Sequence, residues 1–87
     1  MHYWQGKELR FSKEAHREIH RHGLSTDDIL KVLNMGEDFP GKSRKKGIYE
    51  MCLRKGNKVM KVVVAESYSF DTKSLAWVVI HVMAVRA

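Results

Sequence analysis

Apolar positions recur first at helical and then at strand spacing along this chain. Leu9 to Phe11 reads as a short extended segment, preceded by a turn at Gln5-Gly6-Lys7. Ser12 then suits an N-cap, because its hydroxyl can accept from the amides that a first helical turn leaves unpaired. Glu14 complements the positive end of the helix dipole, and Gly23 stops the helix after about Arg21. Ala15 and Ile19, four apart, mark its buried side, while Lys13, Arg17 and Arg21 mark the wet one. Ser25-Thr26-Asp27-Asp28 opens a second helix with a cap and two acids in the first turn. Ile29, Val32 and Leu33 give it an apolar stripe, and Gly36 ends it. The break at Gly23-Leu24 leaves room only for a tight helical hairpin.

After Pro40-Gly41 the period becomes two. Ile48 to Lys55 and Lys58 to Ser67 flank Gly56-Asn57, a two-residue hairpin signal. That turn sets the register: Tyr49, Met51 and Leu53 share a side with Met60, Val62 and Val64 and form an apolar face for the helices. Glu50, Cys52 and Arg54 point the other way, beside Val59, Lys61 and Val63. Leu75 to Val85, apolar and rich in β-branched residues, belongs in the middle of the sheet, with the turn before it in Ser69 to Ser74. Strict alternation along that strand puts Trp77 and His81 on one side. The expected fold is α+β: two N-terminal helices on one face of a small, mostly antiparallel sheet. The order is strand, helix, helix and three strands, with room for one extra short strand. With 87 residues and no repeat or linker, residues 1–87 form a single domain.

Composition alters this picture at one place. The net charge is +6, yet Lys42 to Lys61 alone carries eight bases (Lys42, Arg44, Lys45, Lys46, Arg54, Lys55, Lys58 and Lys61) against one acid, Glu50. A polyanion is the natural partner of such a segment, since neutralised phosphates release condensed counterions; a solubilising surface around a hairpin is the plainer reading. One cysteine, Cys52, excludes an internal disulfide framework and a cysteine zinc cage. There is no apolar run of membrane-spanning length and no apolar stretch like a secretory signal at Met1 to Gln5, so the expected location is cytoplasmic, away from membranes.

Phe11-Ser12-Lys13-Glu14-Ala15, Ile19, His22-Gly23-Leu24-Ser25, Asp28-Ile29 and Val32-Leu33 resemble the helical hairpin of domain-of-unknown-function family 4258. Lys61-Val62-Val63-Val64-Ala65 and Val78-Val79-Ile80-His81-Val82 fit its C-terminal sheet. The resemblance covers nearly the whole chain. It departs from the family pattern at Glu14, where histidine is common, and at Glu18 and His22, where arginine is common. The family is similar in fold to the RelE/ParE and BrnT toxins of toxin–antitoxin pairs. The resemblance therefore implies a RelE-like fold, RNA as partner, association with the ribosome, and an antitoxin covering the helix-free face.

Cleavage of the RelE kind requires a base for the ribose 2′-OH, cations for the phosphate and an acid for the leaving 5′-oxygen, with no metal or other cofactor. The open face offers Glu50 as base, Arg54 and Lys61 as phosphate clamps, His81 as acid and Trp77 as a base-stacking ring. Lys42, Arg44, Lys45, Lys46 and Lys58 are the further phosphate contacts. Each has a plainer reading: Glu50 as a hairpin charge partner, His81 as a hydrogen-bonded core histidine, the lysine run as a soluble edge. His16 and His20 have the spacing of helical metal ligands. Arg17, however, stands where two-histidine zinc hydrolases carry glutamate, and a solvated face explains the pair better. Cys52 serves as a small hydrophobe. The other functional class is a non-catalytic interaction module, whose apolar C-terminal strand and sheet edge take a partner strand or helix, or a second copy of the chain.

Overall fold

The computed structural model describes residues 2–38, with Asp38 in its backbone alone, and 47–86. The chain is α+β, with two helices and a mixed sheet. In chain order the elements are β1 (His2–Trp4), β2 (Lys7–Phe11), α1 (Lys13–Arg21), α2 (Thr26–Met35), β3 (Glu37–Asp38), β4 (Ile48–Lys55), β5 (Lys58–Ser69) and β6 (Ser74–Arg86). The strands lie in the order β1-β2-β6-β5-β4-β3. All neighbours run antiparallel except β2 and β6, which are parallel over Leu9–Phe11 and Trp77–Val79. No helix among the described residues is long and apolar enough to cross a membrane.

Both helices begin where the serines place them. Ser12 Oγ accepts from the Ala15 amide at 3.0 Å, and the Ser12 amide donates to Val79 O, also at 3.0 Å, so the cap ties α1 to β6. Ser25 and Asp28 form a reciprocal capping box: Asp28 N–H donates to Ser25 Oγ, and Ser25 N–H donates to the Asp28 carboxylate. That backbone donor holds the Asp28 carboxyl below its ordinary value. Gly36 ends α2 for reasons of space. A Cβ there would press on the carbonyl oxygens of Val32 and Cys52, where the helix end meets β4.

Two short strands, β1 and β3, join the four expected, where the sequence left room for one. β1 is joined to β2 through Gln5 and Gly6, both at positive φ, a turn without the usual Asn-Gly or Asp-Gly signature. Trp4 is the gain from this strand: its ring is buried, and its Nε1 donates to Leu33 O at 3.0 Å, satisfying a carbonyl at the open end of α2. β3 adds two residues beside Met51 and Cys52 on β4.

Ala15 and Ile19 of α1 and Ile29, Val32 and Leu33 of α2 share one core with Met60, Val62 and Val64 of β5 and Trp77, Val79 and Val82 of β6. The β4–β5 register is the expected one, with Tyr49 opposite Val64, Met51 opposite Val62 and Leu53 opposite Met60. β6 departs from strict alternation. Val63 faces His81 while Val64 faces Val79, so Ile80 is an extra residue on β6. Val79 and Val82, three apart and both fully buried, face the core together only because of this bulge. β6 is interior only in part: β2 covers its outer edge up to Val79, and no described strand continues beyond.

Deleting Ile80 restores strict alternation and forces either Val79 or Val82 out of the core. We expect a loss of about 3 kcal/mol or more, read as a lower urea midpoint or outright unfolding. Ser25→Ala, which removes the cap, is expected to cost about 1 kcal/mol at neutral pH. Because Asp28 has a depressed folded pKa, its share of stability is complete above the ordinary aspartate range near about pH 4. That share is lost in acid by wild type and variant alike, because its main donor is the Ser25 backbone N–H, which the variant keeps; the cost of Ser25→Ala, read from the urea midpoints, should therefore change little as the pH falls.

Candidate functional site on the helix-free face

Alternation sends Glu50, Lys61 and Val63 to the side of the sheet away from the helices, and the bulge sends Ile80 and His81 there too. Together with Ile48 and Met83 these residues line one open hollow of about 360 Å³. Its floor is charged. Glu50 is only 5 % exposed, although it stands in the middle of a strand, and Lys61 Nζ lies 2.8 Å from its Oε1. A carboxylate in apolar surroundings keeps its charge only with such a counter-ion, so the pair is a matched unit with aliphatic walls.

His81 stands at the lip, its side chain 59 % exposed. Its Nδ1 is 3.5 Å from Glu18 Oε1, and the same oxygen accepts the Val82 amide at 3.0 Å. Glu18 projects from α1 past the end of β2, so it reaches the outer edge of β6 just where strand pairing stops. A carboxylate beside Nδ1 draws the ring proton to that nitrogen and leaves Nε2 as the other working atom. The sequence reading missed Glu18 as a site residue. Its one signal was a glutamate at a position expected to hold arginine, and the partner is 63 positions away in the chain.

Three other candidates do not join this group. Arg54 is on the same side of β4 but four residues from Glu50, about 13 Å along the strand. It lines a separate hollow with Met35, Glu37 and Cys52. Trp77 is corrected outright: the Ile80 bulge reverses its side, and it is 3 % exposed in the core. Trp4 and Tyr49 pack edge-on to it at 5.1 and 5.3 Å, and Lys7 Nζ sits 5.0 Å from its ring centre, so no base can stack there. Lys58 is exposed but falls by alternation on the Met60 side. Lys42, Arg44, Lys45 and Lys46 lie outside the described residues.

The histidine pair of α1 has a packing role on one member, since His16 lies 5.6 Å from the Phe11 ring. Among the described residues no three His, Cys, Asp or Glu side chains gather as metal ligands. Cys52, which lines the Arg54 hollow, donates weakly to Glu37 O at 3.7 Å. Burial pushes its thiol up, and the charges of Glu50 and Glu37 add to the effect while Lys61 opposes it. Alkylation of Cys52 at pH 8 should therefore run slower than that of a free cysteine peptide. Glu50→Gln should speed it by removing one of the acids, a change followed by mass spectrometry.

No family model, no curated protein and no solved structure matches the chain.

Proposed function

We propose that the chain is a RelE-like RNA-binding domain that cleaves RNA in the hollow between β4, β5 and β6. The observation that carries this reading is the convergence of Glu50, Lys61 and His81 on one helix-free hollow, in a chain whose sequence concentrates positive charge between Lys42 and Lys61. Glu50 takes the proton of a ribose 2′-OH, and the freed oxygen attacks the adjacent phosphorus. Lys61 offsets the charge gathering on the phosphate oxygens, and His81, aimed by Glu18, protonates the departing 5′-oxygen. The bond formed is 2′-O–P and the bond broken is P–O5′, so the products are a 2′,3′-cyclic phosphate and a 5′-hydroxyl. Arg54 serves as a phosphate contact further along the strand rather than at the reacting group. The likeness to domain-of-unknown-function family 4258 and the RelE/ParE and BrnT toxins points the same way, and on that likeness the proposal includes the ribosome as the setting and an antitoxin as the covering partner.

A second reading is RNA binding without cleavage. It is favoured by the depth of Glu50 and its 2.8 Å contact with Lys61, which hold the carboxylate as an ion pair. One experiment separates the two. Purified protein is incubated with end-labelled single-stranded RNA in EDTA, and both retention and products are followed. The cleavage reading expects 2′,3′-cyclic ends, with Glu50→Gln and His81→Ala each slowing their release about 100-fold or more. Retention that weakens steeply with added salt while the RNA stays intact leaves the binding reading. RNA that is neither retained nor cut at low salt overturns both.

A further inference from the structure

Among the described residues, β6 ends with a length of strand that has a partner on one side only. The Val82 amide donates to Glu18, so it points away from β5. By the alternation of an antiparallel ladder, the N–H and C=O groups of Ala84 and Arg86 point the same way. β2 has stopped at Val79, and Glu18 guards the edge at Val82, but no described element pairs with the edge from Met83 to Arg86. Met83 and Val85, both on the hollow side, are 42 % and 51 % exposed. A bare edge flanked by exposed apolar side chains is what isolated domains normally avoid.

The pattern along this edge is self-complementary. We infer that β6 pairs antiparallel with β6 of a second copy of the chain, about a two-fold axis at Ala84. In that register Ala84 faces Ala84 of the second copy, Met83 faces Val85, and Val82 faces Arg86. The apolar side chains meet on the open face. On the helix side, each Arg86 guanidinium arrives beside the Glu18 carboxylate of the other copy. Six backbone hydrogen bonds close the ladder: two between the Ala84 residues and, at each end, Arg86 N–H to Val82 C=O and Val82 N–H to Arg86 C=O. As the strands pair, the Val82 amide exchanges Glu18 for the second copy's Arg86 carbonyl, and the freed Glu18 carboxylate turns to that residue's guanidinium. An unrelated strand would bury the apolar pair equally well, but the placement of Glu18 and Arg86 at equal distances on either side of Ala84 matches the chain to itself. The pairing sets the two hollows side by side on one continuous sheet face, since Met83 belongs both to the hollow and to the edge.

The test is the mass of the protein in solution without RNA, so it stands apart from the fate of the RNA reading. Sedimentation equilibrium up to the millimolar range should show wild type rising from 10.1 kDa toward twice that mass. Amide exchange at Ala84 and Arg86 should slow as concentration rises. Ala84→Pro removes an edge donor that β5 does not use, and Arg86→Glu sets carboxylate against carboxylate. Both variants should remain near 10.1 kDa, with Arg86→Glu decisive should the proline disturb folding, because its side chain is exposed. A wild type that stays monomeric to the millimolar range, or an Arg86→Glu variant that assembles as wild type does, overturns the inference.

Discussion

The extra residue at Ile80 is the constraint on which the other features turn. A strand of period two cannot present positions 79 and 82 to the same side, yet Val79 and Val82 are both fully buried with the helices. The bulge resolves this and divides β6 into two halves of opposite parity. The first half sends Trp77 and Val79 inward to Trp4 and the end of α2; the second sends Val82 inward to α1. At the junction Ile80 and His81 turn outward, which gives the hollow its third wall and its histidine. Packing and site are thus two results of one insertion, in keeping with the tendency of bulges to re-aim side chains beside functional sites.

The charges on the helix-free face carry a cost that packing does not explain. Glu50 could be an aliphatic residue as far as the fold is concerned, because its neighbours Ile48 and Val63 are apolar and hydrophobic replacement of a buried ion pair is often neutral or favourable. A buried carboxylate held by a lysine, beside a histidine held by a second carboxylate, is a grouping suited to moving protons. Glu18 links this grouping to the fold, since the oxygen facing His81 also closes the Val82 amide. Movement of α1 against β6 would be felt at the imidazole.

The same end of β6 explains why the hollow and the edge belong together. β2 is too short to cover β6, α1 takes over at Ser12, and the strand then outruns both. The overhang, Met83 to Arg86, is apolar toward the hollow, and among the described residues nothing pairs with its outer edge. A two-fold pairing there would widen the helix-free surface without covering it, so the proposed RNA surface and the proposed self-association edge are compatible on one sheet.

Much of this was legible in the residues. Ser12 and Ser25 with their first-turn acids placed both helices, because capping is local chemistry, and Gly56-Asn57 set the β4–β5 register, because a two-residue turn leaves no slack. From that register the side of Glu50 and Lys61 followed directly. The resemblance to a family, and the function it implies, stayed an expectation. Local pattern also supplied the β6 strand, its interior place and the side of His81, but not its bulge: in Leu75 to Val85 nearly every residue is apolar, so no contrast marks where parity reverses, and alternation alone puts Trp77 on the wrong side. The parallel partner β2, the β1 strand that carries Trp4, and the meeting of Glu18 with His81 depend on contacts between residues far apart in the chain. Only the packed core, by requiring Val79 and Val82 to face the same helices, decides those.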